Sequence, residues 1–185
     1  MNSSVQRLSR FFSGLFAVGA GLSMVSVFLI VFVNSTRRYT IGKSFEWGEE
    51  MPVYLAIYGI MFGVARAYME DRHIRFTILI GFLTKNLTRK LYMLVDLLMI
   101  STGGLLAYSG YMFTIKRGAI EASGLVNLVQ DLKSVTGWDW ILVFGQLYPW
   151  QAAMIFGGTM LAIAALLKFL LRLSEEKASD QAKGV

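Results

Sequence analysis

The chain has 185 residues but no cysteine, one histidine and only two prolines, and 16% of its residues are charged. Without cysteine it cannot form disulfides, thiolate zinc sites or iron–sulfur clusters, and it has no cysteine nucleophile. One histidine cannot supply a bis-histidine haem or a three-histidine catalytic zinc centre. The sequence also lacks a phosphate-binding loop, a nucleophile elbow and paired carboxylates within an apolar run. We therefore predict no enzymatic activity and no cofactor or metal on this chain.

Long apolar runs dominate the rest of the sequence. Hydrophobic residues make up 55% of the chain, and residues 11–33 contain no ionisable side chain. As a helix this run extends about 34 Å, slightly more than the hydrocarbon core of a bilayer. The run is too long for the apolar part of a cleaved signal peptide, and no A-x-A site follows it. With three further runs, the sequence predicts transmembrane helices over about residues 11–33, 50–69, 90–115 and 149–171.

We predict an all-α integral membrane protein, with one four-helix domain at residues 1–173 and a polar tail at 174–185. The basic residues predict its orientation, because cytoplasmic loops carry an excess of lysine and arginine. Twelve of the 18 basic residues fall in the N-terminus, the loop between spans 2 and 3 and the C-terminus. Both termini are therefore predicted to be cytoplasmic. This topology and anionic lipid explain the net charge of +6 without a nucleic-acid partner.

The loop between spans 2 and 3 is amphipathic. Residues 74–83 place apolar side chains at helical spacing among basic ones, and this segment is too short to cross a membrane. We predict a helix that lies along the cytoplasmic interface there, with the single histidine in a basic patch beside it. The side chains expected to contact lipid headgroups are Arg72, His73, Arg75, Lys85, Arg89 and Lys90.

A second amphipathic stretch, residues 125–135, lies between spans 3 and 4. Trp138, Trp140, Tyr148 and Trp150 follow it. Tryptophan and tyrosine are enriched at headgroup depth in membrane proteins. We therefore expect this region at the external interface of the membrane.

Small residues recur at four-residue spacing in the spans, where they let helix backbones approach closely in lipid. Such stripes pack helices within one chain or dock them onto a partner, and the sequence leaves both interpretations open. The stripes are Gly59, Gly63 and Ala67; Ser13, Ala17 and Gly21; Gly103 and Ala107; and Ala153 and Gly157.

Asp96 is the only ionisable residue well inside a span. A charged acid at the bilayer centre costs about 2.5–3.5 kcal/mol on insertion scales, so it needs a partner. We favour a structural pair, with Arg89 or with a cation on another subunit, because a single acid without a second intramembrane charge makes a poor proton or ion relay. The alternative is a self-sufficient small oligomeric transporter or channel that uses Asp96.

The most distinctive polar cluster lies on both sides of the loop between spans 1 and 2. One interpretation is a solvated external loop in which Ser44 caps the next helix, with glutamates near its N-terminal dipole. The other is a contact surface for a partner, since tryptophan, tyrosine and arginine are enriched at interfaces. The cluster consists of Asn34, Arg37, Arg38, Tyr39, Trp47, Glu49 and Glu50.

With the residues that follow it, this cluster resembles the small membrane (Q) subunit of tripartite ATP-independent periplasmic (TRAP) transporters. The resemblance covers roughly residues 10–172, and the order and spacing of several short motifs carry it. These motifs are Asn34-x-x-Arg37-Arg38-Tyr39, Ser44-x-x-Trp47-x-Glu49-Glu50, Gly63 with Arg66, and His73-Ile74-Arg75.

The resemblance implies a non-catalytic subunit of a bacterial inner-membrane transporter. Transporters of this family import organic anions, such as dicarboxylates or sialic acids, driven by a sodium gradient. A periplasmic substrate-binding protein captures the substrate, and a large membrane subunit holds the transport and sodium sites. The small subunit is expected to be a scaffold that forms a heterodimer with the large one. The residues expected to serve the partner interface or the structure are the polar cluster together with Gly59, Gly63, Arg66 and Asp96.

Overall fold

The computed structural model describes residues 3–70 and 84–183, and helices account for nearly all of this part of the chain. The predicted interfacial helix at residues 74–83 lies outside the described residues, as do Arg72, His73 and Arg75. The helices are α1 (Ser3–Ile41), α2 (Trp47–Met69), α3 (Lys85–Arg117), α4 (Ser123–Thr136), a 3₁₀ helix (Asp139–Gly145) and α5 (Tyr148–Lys183).

Four of these helices are long and apolar enough to cross a membrane, which confirms the predicted number of spans. Each helix extends beyond the apolar run that predicted it, since α1 has 39 residues and α5 has 36. At about 1.5 Å per residue, α1 is about 58 Å long and too long to lie wholly within the hydrocarbon core. The cytoplasmic position of both termini stays a prediction. The candidate spans are Val5–Ile41, Trp47–Met69, Leu87–Arg117 and Tyr148–Ser174.

Among the spans, α5 packs against both α2 and α3. α1 packs mainly on α2 and to a smaller extent on α5, so α1 and α3 form opposite edges of the bundle in the described part of the chain. The end of this bundle that carries the chain termini is here called the terminal end. The opposite end, with the α1–α2 turn and α4, is called the loop end. Large apolar side chains are exposed on both edge helices, among them Phe28 and Leu98, as expected of surfaces that face lipid or another membrane subunit.

Close backbone contact holds α3 against α5. A Cβ atom placed on Gly103 would lie 2.7 Å from the backbone nitrogen of Ala162, closer than real Cβ atoms approach. Gly158 of α5 lies equally close to the backbone of Ala107 in α3. In lipid, small residues permit this approach and the van der Waals contact that comes with it. The small pair Gly103 and Ala107 therefore packs two helices of this chain together.

The small-residue series of α2, which contains GxxxG, has one tightly packed glycine and one glycine with open space beside it. Gly59 lies against Ser23 and Met24 of α1, where an added Cβ would come within about 3 Å of both side chains. Beside Gly63, by contrast, the space into which a Cβ would project is open among the described residues. Packing within the chain thus explains Gly59 and leaves Gly63 available to lipid or to a partner.

The segment between α3 and α5 folds over the loop end. Leu125 of α4 is buried in a cluster with Trp150 of α5, and α4 contacts the start of α2. This helix ends at Gly137, whose φ of 74° lies in the left-handed region that favours glycine. The two ends of this segment are joined, because the N–H of Ala122 donates to the carbonyl of Gly145 at 2.8 Å. These contacts fix α4 and the 3₁₀ helix on the bundle.

Candidate functional site

Asn34 fixes the turn between α1 and α2. Its side chain is buried, and its Oδ1 accepts a hydrogen bond from the N–H of Phe45 at 2.7 Å. Gly48 packs directly on this side chain, and a Cβ there would lie 2.6 Å from the Asn34 Cγ. An asparagine two turns before the end of α1 and a glycine at the start of α2 therefore set the geometry of the turn.

An aromatic and cationic stack extends from the same turn. The guanidinium of Arg37 lies 3.7 Å from the centroid of the Phe45 ring, and this ring stacks on Trp47 at 5.1 Å. Arginine attracts the electron-rich face of an aromatic ring, so Arg37 stabilises the turn through Phe45. Ser44 does not cap α2, which begins at Trp47. Instead its hydroxyl donates to Glu49 Oε1 at 3.1 Å, and the residue at the N-cap position of α2 is Glu46.

The first turn of α2 also holds α4. The hydroxyl of Ser123 donates to Glu50 Oε1 at 3.0 Å, and the side-chain amide of Asn127 donates to Glu46 Oε2 at 2.8 Å. The second carboxylate oxygen of Glu50 is buried and has no hydrogen-bond partner among the described residues. Ser123 and Asn127 were not among the residues predicted for this cluster. Their signal is two polar residues one helical turn apart at the start of an amphipathic helix.

The residues that form the α1–α2 turn and its contacts with α4 are called the loop-end cluster. They are Asn34, Arg37, Ser44, Phe45, Glu46, Trp47, Glu49, Glu50, Ser123 and Asn127. Two members of the predicted polar cluster lie outside it. Arg38 is exposed, Tyr39 is 82% exposed, and the Arg38 guanidinium lies 5.9 Å from the ring of Tyr39. With the exposed Ile41 they form a ridge at the end of α1. Most of the predicted cluster thus serves the chain's own fold, and this ridge is the part that projects away from it.

Asp96 lies at the centre of a second cluster, near the terminal end. It is completely buried, and its Oδ1 accepts a hydrogen bond from the hydroxyl of Tyr68 at 2.5 Å. Its Oδ2 forms an ion pair with Arg172 Nη1 at 2.7 Å. One carboxylate therefore joins α2, α3 and α5. Its partner is Arg172 of the same chain and not, as predicted, Arg89 or a cation on another subunit. Arg89 is seven residues and about 10 Å away along α3.

Arg172 is fixed by α3 on more than one side. Its Nη1 also donates to the carbonyl of Tyr92 at 3.0 Å, and its guanidinium lies 4.7 Å from the centroid of the Tyr92 ring. Lys168, one turn earlier in α5, adds positive charge near Asp96. The terminal-end cluster is the name given to these four residues: Tyr68, Tyr92, Asp96 and Arg172.

The remaining predicted residues lie apart from both clusters. Arg66 forms an ion pair with Glu70 at 2.8 Å, at the end of α2. Lys85, Arg89 and Lys90 belong to the first two turns of α3, where contact with lipid headgroups stays a prediction. Within residues 3–70 and 84–183, no group of three histidine, aspartate or glutamate side chains could hold a metal ion.

The four spans and the buried polar cluster between them define a multi-pass helical membrane protein. Residues 27–175 match the family described as "Tripartite ATP-independent periplasmic transporters, DctQ component". Because the match covers most of the chain, the chain belongs to this family, and the resemblance found in the sequence is confirmed. No curated protein matches the chain. The protein is therefore a membrane component of a tripartite transporter, and both clusters lie within the matched region.

Proposed function

We propose that this chain is the scaffold for the large membrane subunit of its transporter, in the inner membrane of a bacterium. The complete system takes up an organic anion of the dicarboxylate or sialic acid class, driven by sodium and supplied by a periplasmic binding protein. The transport and sodium sites lie on the large subunit. The bonding of Asp96 carries this proposal, because both of its oxygens are bonded within the chain.

An ion relay within the membrane needs a carboxylate that exchanges partners during transport. Asp96 instead connects three helices and contacts no solvent. Removing one partner of a buried ion pair costs about 3–5 kcal/mol, because the other charge is left unpaired. Such a carboxylate resists movement of the helices that it joins. That property suits a subunit that holds its neighbour in place.

The loop-end cluster supports the same role at the other end of the bundle. It joins the turn between α1 and α2 to α4 through Asn34, Glu46 and Glu50. The spans are thus connected at both ends by polar contacts and in between by close helix packing. A bundle fixed in this way transmits force without deforming, as a scaffold for a moving subunit requires.

Reconstitution tests the proposal directly. The purified chain, the large subunit and the binding protein are incorporated into vesicles singly and together, and sodium-driven uptake of a labelled dicarboxylate and a labelled sialic acid is measured. We expect uptake only with all three proteins. Uptake by the chain alone that is abolished by Asp96→Asn would establish the oligomeric transporter or channel instead.

The exposed ridge of Arg38, Tyr39 and Ile41 is the part of the predicted polar cluster that we assign to the large subunit. Arginine and tyrosine are enriched among the residues that dominate protein interfaces. We expect Arg38→Ala/Tyr39→Ala to reduce co-purification of the large subunit while thermal unfolding of the isolated chain stays unchanged. The control is Trp47→Ala/Glu50→Ala, which removes contacts within the chain and is expected to lower its unfolding temperature. Undiminished co-purification of the ridge variant would remove this assignment.

A further inference from the structure

An apolar cavity of about 260 Å³ lies at the loop end, between α4, the 3₁₀ helix and the first turns of α2 and α5. All nine residues that line it are apolar or aromatic. Leu125, Val129 and Trp150 are buried and form its interior. Leu132 and Trp140 are exposed and form its rim. The exposed rim shows which side of the cavity opens to the surroundings.

An apolar occupant would stabilise the protein by filling this cavity. Empty space next to apolar atoms costs stability, because those atoms lose their van der Waals contacts on one side. Water is a poor substitute, since a buried water molecule needs two to four polar partners. The indole N–H of Trp150, a residue of the interior, already donates to the carbonyl of Phe144 at 3.1 Å and is not free to hold a water molecule. A hydrocarbon group therefore fits the cavity better than water does.

The position of the rim indicates where this hydrocarbon comes from. The rim continues into an exposed apolar surface that includes Val135 and Trp138, and the rings of Trp138 and Trp140 stack at 5.9 Å. The 3₁₀ helix ends three residues before α5 begins its crossing at Tyr148. The cavity thus adjoins the start of a membrane span, at the depth where tryptophan is enriched.

We propose that this cavity binds an acyl chain of a membrane phospholipid from the leaflet at the loop end. The chain enters past Leu132 and Trp140 and contacts Leu125 and Val129, while Trp138 lies at headgroup depth. Bound there, the lipid fills the space beneath α4 and stabilises its position on α2. This inference is independent of the substrate and of the scaffold role.

Photolabelling tests the proposal on the full chain in complex with its large subunit. The complex is reconstituted in phosphatidylethanolamine and phosphatidylglycerol vesicles that contain a phospholipid with a diazirine on its acyl chain. After irradiation, adducts are mapped by mass spectrometry. We expect adducts on the buried residues Leu125 and Val129 as well as on Phe28, which is exposed on α1 and serves as an internal control for lipid contact.

Two variants close the cavity. Leu128→Phe fills it from the lining of α4, and Leu132→Phe narrows its mouth at an exposed position that tolerates the change. Both are expected to lose the adducts on Leu125 and Val129 and to keep those on Phe28. The matched control is Leu166→Phe, an exposed position on α5 away from the cavity, which is expected to keep all adducts.

Three results would overturn the proposal. The first is labelling of Phe28 without labelling of the cavity in the unchanged chain. The second is cavity labelling that persists in both closing variants with their thermal unfolding unaltered. The third is cavity labelling in the isolated chain that disappears in the complex, since a side chain of the large subunit would then occupy the cavity.

Discussion

The two polar clusters join helices in different ways. At the loop end, the connection between α1, α2 and α4 is distributed over several hydrogen bonds, and those to α4, such as Ser123 to Glu50, come from exposed or half-buried side chains, whereas Asn34 is buried. At the terminal end, α2, α3 and α5 converge on one carboxylate, that of Asp96, which is completely buried, and Arg172 also bonds to Tyr92 of α3. The first connection has no central member, whereas the second is centred on Asp96.

The difference follows from the surroundings of each end. A hydrogen bond near water replaces a bond to water, so its net contribution is only about 0.5–1.5 kcal/mol and several are needed. A carboxylate buried among helices has no such replacement, so losing its partner leaves an uncompensated charge. The loop end should therefore tolerate the loss of one contact, whereas the terminal end should not.

Breaking the terminal-end cluster has the largest expected effect. Arg172→Met removes the ion-pair partner of the buried Asp96 and should lower the free energy of unfolding by about 3–5 kcal/mol. Denaturant titration of the purified chain in micelles measures this change. The double variant Asp96→Leu/Arg172→Met removes both charges and is expected to recover most of the loss. A double variant as unstable as Arg172→Met would show that the ion pair is not what stabilises this end.

Substitutions at two adjacent glycines test the contribution of helix packing separately from that of the ion pair. Gly103→Val places methyl groups against the backbone of α5 and should cost about 1–3 kcal/mol as α3 is forced away. The control Gly104→Val introduces the same side chain one residue later, where the space is open among the described residues. The same titration measures both variants. Equal stability of the two would mean that the close contact between α3 and α5 does not hold them together.

At the loop end, loss of a single contact should have a smaller and local effect. Ser123→Ala removes the hydrogen bond to Glu50 and should cost about 0.5–1.5 kcal/mol. Amide hydrogen exchange is expected to become faster in α4 while α2 is unaffected. In the same helix, Ser134 bonds only to the carbonyl of Asp131, so Ser134→Ala is the matched control. Faster exchange throughout the bundle would contradict the inference that several separate hydrogen bonds join the helices at the loop end.

The spans could be predicted from the sequence, but their full lengths could not. An apolar run reports only the part of a helix that lies in lipid, so the prediction of residues 11–33 missed both ends of α1 (Ser3–Ile41). The same limit applies to α2, which begins at Trp47 because helical winding starts in the polar segment before the predicted span. The fold class could be predicted from the sequence because it depends on composition. Helix ends outside the bilayer depend on contacts that composition does not reveal.

The partners of the candidate residues were harder to predict, because they lie far away in sequence. Asp96 and Arg172 are separated by 76 residues, and no spacing rule connects them. They meet because glycine contacts bring α3 and α5 close together, a feature of two helices jointly. In the same way, Glu50 was recognised as distinctive, but its partner Ser123 lies 73 residues later. Residue type thus indicated which side chains matter, whereas the fold was needed to say what they touch.

The smallest expected effect concerns the ion pair between Lys133 and Asp139, which joins the last turn of α4 to the 3₁₀ helix at 2.7 Å. The hydrogen bond and charge of Lys133 hold the pKa of Asp139 below its usual value of 3.8. Because the folded-state pKa is depressed, the stabilisation is present above the unfolded value and is lost as pH falls through the folded one. It should be weak and weaker still in high salt, since both side chains are exposed. Emission from Trp138 and Trp140, in a Trp47→Phe/Trp150→Phe background, should change below pH 3.8 and not in Asp139→Asn. An identical titration in Asp139→Asn would mean that this contact plays no part in positioning the loop end.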